Sequence, residues 1–254
     1  MLKLCFSKRY GLTTLLVIIA CGVMFRLGFW QLDRLAQRQI RNAEIAQSLA
    51  TPPLVLTGNT RPENLELRQF QTIVVRGVFD HSQEVALQNQ TWQGEPGVHL
   101  ITPLVIGGGQ QAILVDRGWI PYSVAEPEHW ANFQTTGPVE ISGMIRMSQP
   151  RPNAPPLKEP ELNIFRVDID RLQGQISHRL LPVFIAQSPV LAQGQLPYRS
   201  QPEIQLTNGP HLGYAIQWFS FSVILAVGYV VFVRQHAQPA PENEPETLSI
   251  PMEA

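Results

Sequence analysis

The chain has 254 residues, 44% of them hydrophobic and 15% charged, with 19 basic side chains against 20 acidic ones. That charged fraction is well below the ~25% of soluble domains, so part of the chain is not dissolved in water, and a net charge of -1 gives no basic face for nucleic acid. The two cysteines, Cys5 and Cys21, both lie near the N-terminus, which leaves the rest of the chain without a disulfide, a thiolate nucleophile or a cysteine metal ligand.

Residues 1–10 carry Lys3, Lys8 and Arg9 ahead of an apolar run from Gly11 to Trp30. The run has roughly the 20 residues needed to cross the hydrocarbon core, and the preceding basic residues place the N-terminus in the cytoplasm. Arg26 is its one charge. It has two readings: a long side chain that snorkels to the interface, or a cation that meets a buried anionic ligand group. The N-terminus also has three readings. It is an uncleaved anchor, a cleaved signal peptide, or a lipoprotein signal in which Cys21 of Ile18-Ile19-Ala20-Cys21-Gly22 becomes lipidated. The apolar run continues past Cys21 to Trp30, which favours the anchor.

After Trp30, Leu32, Leu35 and Ala36 keep a helical spacing, so the first helix extends into water to about Leu49, where Pro52-Pro53 ends it. The pattern then becomes that of strands: Ile73 to Phe79, Glu84 to Leu87, Val98 to Ile106 and Ala112 to Asp116, the last two joined across Gly107-Gly108-Gly109 as a hairpin. Val139 to Ile145, Phe165 to Ile169 and Leu181 to Ala186 supply later strands, and the five prolines between Pro150 and Pro160 mark an irregular loop. No long helical pattern separates the strands, so the expectation is an antiparallel β-rich domain, barrel- or sandwich-like, over residues 31–210. A second apolar segment, free of charge from Tyr214 to Val233, reads as a transmembrane helix over 211–233 with an interfacial start. Arg234 follows it as an inner-side anchor, and the Pro/Glu-rich residues 234–254 form a disordered cytoplasmic tail. The fold class is therefore two transmembrane α-helices, one near each end, enclosing an extracytoplasmic β-rich domain.

Signals for catalysis are sparse. His81, His99, His129 and His178 lack the short spacings of helical metal pairs. Asp168 and Asp170, on one face if the segment is a strand, suit either a hydrolase pair or turn chemistry. Gly107-Gly108-Gly109 lacks the lysine and helix of a phosphate cradle. The run Val115-Asp116-Arg117-Gly118-Trp119-Ile120-Pro121 at a strand end has two readings. Either Arg117, Gly118 and Trp119 build a partner surface, or Trp119 plugs the barrel end while Arg117 pairs with Asp116 or a carbonyl.

Polar and aromatic residues concentrate where the helices leave the bilayer. His211, Tyr214 and Trp218 are three and four residues apart and share one helix face. They offer an imidazole for coordination, a phenol and a flat stacking surface, or they are the ordinary aromatic belt of a membrane helix. Trp30, Gln31 and Arg34 lie at the same level, where a cation beside an aromatic receives tetrapyrrole propionates or a lipid headgroup.

Four spaced motifs then act together: Gly28-Phe29-Trp30-Gln31-Leu32-Asp33-Arg34, Arg76-Gly77-Val78-Phe79-Asp80, Val115 to Pro121, and His211-Leu212-Gly213-Tyr214-Ala215-Ile216-Gln217-Trp218-Phe219. In this order, with this helix–domain–helix layout, the chain resembles the surfeit-locus-one family, the Shy-type assembly factors. The resemblance implies a non-enzymatic role in assembling haem-copper terminal oxidases, chiefly cytochrome c oxidase. It also implies that haem a is held and passed to the catalytic subunit, with His211 as the ligand to the haem iron. The family often has Asn-Asn-His where this chain has Asn208-Gly209-Pro210-His211. Two rival functions stand beside it: a membrane scaffold that clasps an oxidase subunit without touching haem, and a membrane-tethered hydrolase using Asp168 or Asp170.

Overall fold

The computed structural model describes residues 10–58, 63–107, 110–152, 159–189, 194–201 and 204–236. The basic residues 3, 8 and 9, Gly108 and Gly109 of the hairpin turn, and the tail from 237 lie outside them. The chain divides into two compact units, one of Met1–Asn42 with Thr207–Ala254 and the other Ala43–Leu206.

The first unit is built on α1 (Gly11–Ala50), as far as Asn42, and the last helix, whose bounds are His211–His236. Both are long and apolar enough to cross a membrane. Helix α1 runs unbroken through Cys21 and Trp30 and stops at Ala50, just ahead of Pro52-Pro53, as its spacing led us to expect. Arg234 and His236 fall in the final turn of the last helix, where cations favour the helix dipole.

The second unit is a β-barrel. Its strands are β1 (Leu54–Leu56), β2 (Thr72–Phe79), β3 (Val85–Trp92), β4 (Glu95–Ile106), β5 (Gln111–Pro121), β6 (Pro138–Met147), β7 (Asn163–Ile164) and β8 (Arg179–Gln187). The sheet order β1-β2-β6-β8-β5-β4-β3-β7, with a further pairing of β2 to β4, closes β2, β6, β8, β5 and β4 into a ring. Most pairings are antiparallel. The β5–β8 pairing is parallel, as are those of the short β1 and β7 to β2 and β3.

Burial follows from this closure. Along β2 the side chains alternate, with Ile73, Val75 and Phe79 turned inward. Those residues join Leu104, Ile113, Val115, Ile141, Ile145, Val183 and Ile185 in the barrel interior. Along β4 every residue from Gly97 to Leu104 is buried, because its outer face is covered as well. Part of that cover is a second cluster in which Leu114, Ile101 and Phe184 meet Val167, Ile169, Leu172 and Ile176 around a short helix, α2 (Ile169–Leu172). The last helix, His211–His236, is α3.

Two local expectations are corrected. The segment Phe165 to Ile169 is not a strand: β7 ends at Ile164, and Asp168 is the N-cap of α2, its carboxylate accepting from the backbone N–H of Arg171 at 3.3 Å and of Arg151 at 3.0 Å. Capping satisfies orphan N–H groups of the first turn, which a strand assignment leaves unexplained. Asp168 is buried while Asp170 is exposed, so the two carboxylates do not share a face. The second correction concerns β5, which does not end at Asp116 but continues through Arg117, Gly118 and Trp119 to Pro121, paired with β4 as far as Gly97.

Candidate functional site at the helix pair

Helices α1 and α3 meet in opposite chain directions, along a ladder of small and polar residues. At one end the Tyr229 hydroxyl lies 2.5 Å from Thr14 Oγ1 and 3.3 Å from Thr13 Oγ1. Midway, the Cys21 thiol donates to the Ser222 carbonyl at 3.6 Å, and the Ser222 hydroxyl donates to the Cys21 carbonyl at 3.5 Å. Next, the Phe219 ring lies on the bare α-carbon of Gly28, where a Cβ would come within 2.5 Å of the ring. Phe25 and Phe29 flank that ring at 5.6 and 5.4 Å between centroids. Close approach at small residues with interhelical hydrogen bonds is how helices associate where no hydrophobic drive separates protein from lipid. Beyond His211, Arg38 Nε and Asn42 Nδ2 both donate to the Thr207 carbonyl at 3.1 Å, which ties down the approach to α3.

Between Gly28 and Arg38 the ladder holds its one aromatic base. His211 Nδ1 lies 2.9 Å from Gln31 Oε1. An amide oxygen can only accept, so this bond takes an N–H at Nδ1, and it is Nε2 that the neutral ring would offer as a ligand. His211 is the first residue of α3, and the carbonyl of Pro210 accepts the first helical bond, from Tyr214 N–H at 3.1 Å. Gly209 turns the chain into that start at φ +66, and a Cβ there would stand 3.6 Å from His211 Nε2. The arrangement presents an imidazole oriented by a second residue, with Nε2 free of a hydrogen bond among the described residues. That is the form in which histidine ligates a transition metal.

The other residues singled out at this level are placed differently. Tyr214, 48% exposed, and Trp218 lie beside His211 on one flank of α3, with Trp218 edge-on to Phe221 at 6.3 Å. Trp30 and Arg34 form their own pair, the guanidinium 5.8 Å from the indole centroid and bonded to Gln37 Oε1 at 3.1 Å. At about 100° per residue, Trp30 is some 200° round α1 from Gly28, so it faces away from α3. Of the residues expected to share one site, the structure joins Gln31 to His211 and leaves Trp30 with Arg34.

In the barrel unit, Arg117 and Trp119 are buried, at 4% and 2% exposure. Trp119 stacks on Tyr198, ring centroids 6.1 Å apart and 9° between planes, and exchanges both backbone hydrogen bonds with it at 2.8 Å. Gly118, at φ +120, passes so close to Tyr198 that a Cβ would lie 2.5 Å from its carbonyl oxygen. Arg117 does not pair with Asp116. It reaches Glu84 Oε2 at 2.9 Å, the Phe133 carbonyl, and the face of Phe79 at 5.2 Å. His81 Nδ1, at 3.2 Å, and the Thr102 hydroxyl complete the Glu84 cluster. Burial opposes the Glu84 charge, but the His81 bond, the Arg117 cation and the Thr102 hydroxyl outweigh it and hold the carboxyl below its ordinary range.

Three of the four histidines that look scattered in the sequence are set against a carboxylate: His81 with Glu84, His99 with Asp116 at 2.8 Å, and His178 with Asp80 at 3.5 Å. The His99 and His178 pairs have no signal in the sequence, because contacts between distant segments follow no fixed spacing, whereas His81 and Glu84 are three residues apart.

A chain with an apolar helix at either end and a closed β-barrel between them in sequence is a helix-flanked barrel protein, of a kind compatible with membrane anchoring. A family model described as the SURF1 family matches residues 18–223, and the chain belongs to that family. It is 30% identical over 241 residues to a SURF1-like protein of Monosiga brevicollis, covering 90% of each chain. It is 26% identical over 223 residues to Surfeit locus protein 1 of Homo sapiens, covering 82% of this chain and 72% of the human one. A SURF1-like protein of Drosophila melanogaster is 26% identical over 224 residues, covering 81% and 72%.

Proposed function

We propose that this protein is a non-enzymatic assembly factor for a haem-copper terminal oxidase, and that it holds haem a at His211 for delivery to the catalytic subunit. The observation that carries the reading is the Gln31 to His211 hydrogen bond of 2.9 Å, which leaves Nε2 as a ligand oriented by a residue of the other helix. A bare metal ion needs three or four protein ligands, whereas iron already held in a macrocycle needs only one or two. A lone imidazole therefore suits haem, and a single protein ligand suits a group that must later be given up. When bound, the group would supply iron for Nε2 to coordinate, while Tyr214 and Trp218 offer flat surface on the same flank of α3. Asp168 caps α2 and Asp170 lies apart from it, so neither supports the hydrolase reading.

The helices are taken to cross the cell's inner membrane, with both termini in the cytoplasm and the barrel outside it; a reporter fused after Ala254 tests that placement. The function is tested by purifying the protein in detergent from cells that make haem a. The expected result is a haem absorption spectrum that His211→Ala abolishes or shifts, with reduced oxidase activity in the same cells. A colourless protein from such cells, with oxidase activity unaffected by His211→Ala, overturns the haem reading. A colourless protein that co-purifies with oxidase subunits leaves a scaffold in its place.

A further inference from the structure

On the outer face of the barrel a row of side chains crosses four neighbouring strands. Arg146 on β6 is opposite Phe184 on β8, Ala186 on β8 is opposite Asp116 on β5, and a bulge between His99 and Ile101 on β4 brings His99 onto Asp116. The row lines a cavity of about 320 Å³ that Phe165 and Val167 close on one side. Phe165 itself is 72% exposed.

The hydrogen-bonding state of the row defines what it recognises. Both Asp116 oxygens are bonded: they lie 2.9 and 2.8 Å from His99 Nδ1, and one also accepts the Gly118 N–H at 3.0 Å. His99 is 9% exposed, and its Nε2 makes no hydrogen bond among the described residues. Arg146 lies over the Phe70 ring at 5.8 Å, and among the described residues its guanidinium makes neither a hydrogen bond nor an ion pair. Burial lowers its affinity for the proton, and the nearby Asp116 charge restores only part of that. Thus the free cation and ring nitrogen of the lining are the half-buried Arg146 guanidinium and His99 Nε2, with Phe165 and Phe184 beside them and the neutral polar side chains of Asn89, Gln90, Thr91, Gln149 and Ser200 on the rest of the wall.

A guanidinium recognises a carboxylate through two parallel hydrogen bonds, and in a partly desolvated site such a bond is strong. Phe184 and Phe165 offer the apolar surface for the body of the same molecule. The volume is at the low end of the roughly 300–1,000 Å³ range of ligand sites, so the molecule is small. We propose that this cavity binds a small amphipathic carboxylate, its carboxylate on Arg146 and its apolar body against Phe165 and Phe184. The proposal uses residues of the barrel unit only and is independent of the reading of His211.

The probe is 4-fluorobenzoate, followed by ¹⁹F line broadening against the full-length protein in detergent. Saturable broadening is expected on the order of millimolar, with about tenfold weaker binding to Arg146→Gln, the loss of one charge-assisted pair. The neutral isostere 4-fluorobenzamide and the body-less trifluoroacetate should each bind about tenfold more weakly than 4-fluorobenzoate. Phe165→Ala, at an exposed position, should weaken binding about threefold and keeps the test open if Arg146→Gln does not fold. Arg76→Gln, on a residue paired with Glu140, should change nothing. Equal broadening with wild type and Arg146→Gln means partition into detergent and overturns the proposal. So does equal binding of the benzamide or of trifluoroacetate, or no saturable broadening of 4-fluorobenzoate at about tenfold above the expected range.

Discussion

Gln31 and His211 stand 180 positions apart in the chain and are joined by a single hydrogen bond of 2.9 Å between Oε1 and Nδ1. Its consequence is chemical as much as structural. An imidazole free to rotate and to exchange tautomers presents either nitrogen, whereas one whose Nδ1–H is held by an amide oxygen presents only Nε2, in one direction. The bond also fixes the first turn of α3 against α1. A change at Gln31 therefore acts on His211 without touching it.

Replacing Gln31 by Leu removes the acceptor at nearly constant size. We expect about 10- to 100-fold weaker retention of haem a, as for the loss of a residue that orients a metal-ligating histidine. Gln31→Glu keeps an acceptor for Nδ1–H and should retain most of it. The check is the haem absorbance per mole of protein purified from cells making haem a, for each variant beside wild type. Equal pigment in Gln31→Leu and wild type dismisses the orienting role.

At Gly28 the Phe219 ring occupies the space of a side chain, 2.5 Å from where a Cβ would be. Gly28→Ala should part the helices and destabilise the pair by about 1–3 kcal/mol, the usual cost of overpacking. The readout is oxidative cross-linking of Cys21 to an introduced cysteine in Ser222→Cys, one rung further along the ladder. Its yield should fall in Gly28→Ala and recover in part when Phe219→Leu is added, since the two residues share one contact.

The Glu84 cluster predicts both a mutational and an acid sensitivity of the barrel. Glu84 is 2% exposed and one of its oxygens, Oε1, has no hydrogen-bond partner among the described residues, so its charge rests on Arg117, His81 and Thr102. Arg117→Met strands that carboxylate and should cost about 3–5 kcal/mol, while the double variant Arg117→Met with Glu84→Gln should recover much of the loss. Because the folded carboxyl titrates below the unfolded one, its stabilisation is complete above the unfolded value of about 4.3 and fades as pH falls through the folded value. Thermal melts by circular dichroism should show Tm declining on that acid side, with a shallower decline in Glu84→Gln.

What could be read from the sequence was whatever is local. The length and apolarity of Gly11 to Trp30 and of Tyr214 to Val233 mark two spans, Pro52-Pro53 marks the end of α1, and β2 shows its burial in its own alternation. Burial on both faces hides such alternation in β4, and the four residues of α2 are too few for a 3.6-residue period to show. The residue expected at the end of a strand, Arg117, lies within β5, because β4 and Tyr198 continue the pairing beyond Asp116. His211 was legible by its place at the start of α3, but its partner was not. The bond to Gln31 depends on two helices meeting, and nothing in the spacing of either one states which of their faces will touch. The same holds for Glu84, whose cation lies 33 residues along the chain.

Gly209 supplies the last test, because it separates the backbone at the start of α3 from the imidazole it serves. At φ +66 it occupies the left-handed region, which glycine adopts freely and asparagine adopts better than most other residues. A β-branched side chain there costs about 1–3 kcal/mol of strain, and its Cβ would stand 3.6 Å from His211 Nε2. Gly209→Val should therefore rotate or displace His211, breaking the bond to Gln31 and lowering haem retention at least tenfold, the scale of losing an orienting contact. Gly209→Asn, which tolerates the same backbone, should keep most of the pigment. Both variants should leave the Cys21 to Ser222→Cys cross-link in place, since that rung lies beyond Gly28 and Phe219. If Gly209→Asn loses pigment as fully as Gly209→Val, the space beside Nε2 rather than the backbone conformation is what matters. If neither loses it, the direction of Nε2 does not depend on the backbone at Gly209 and rests on Gln31 alone.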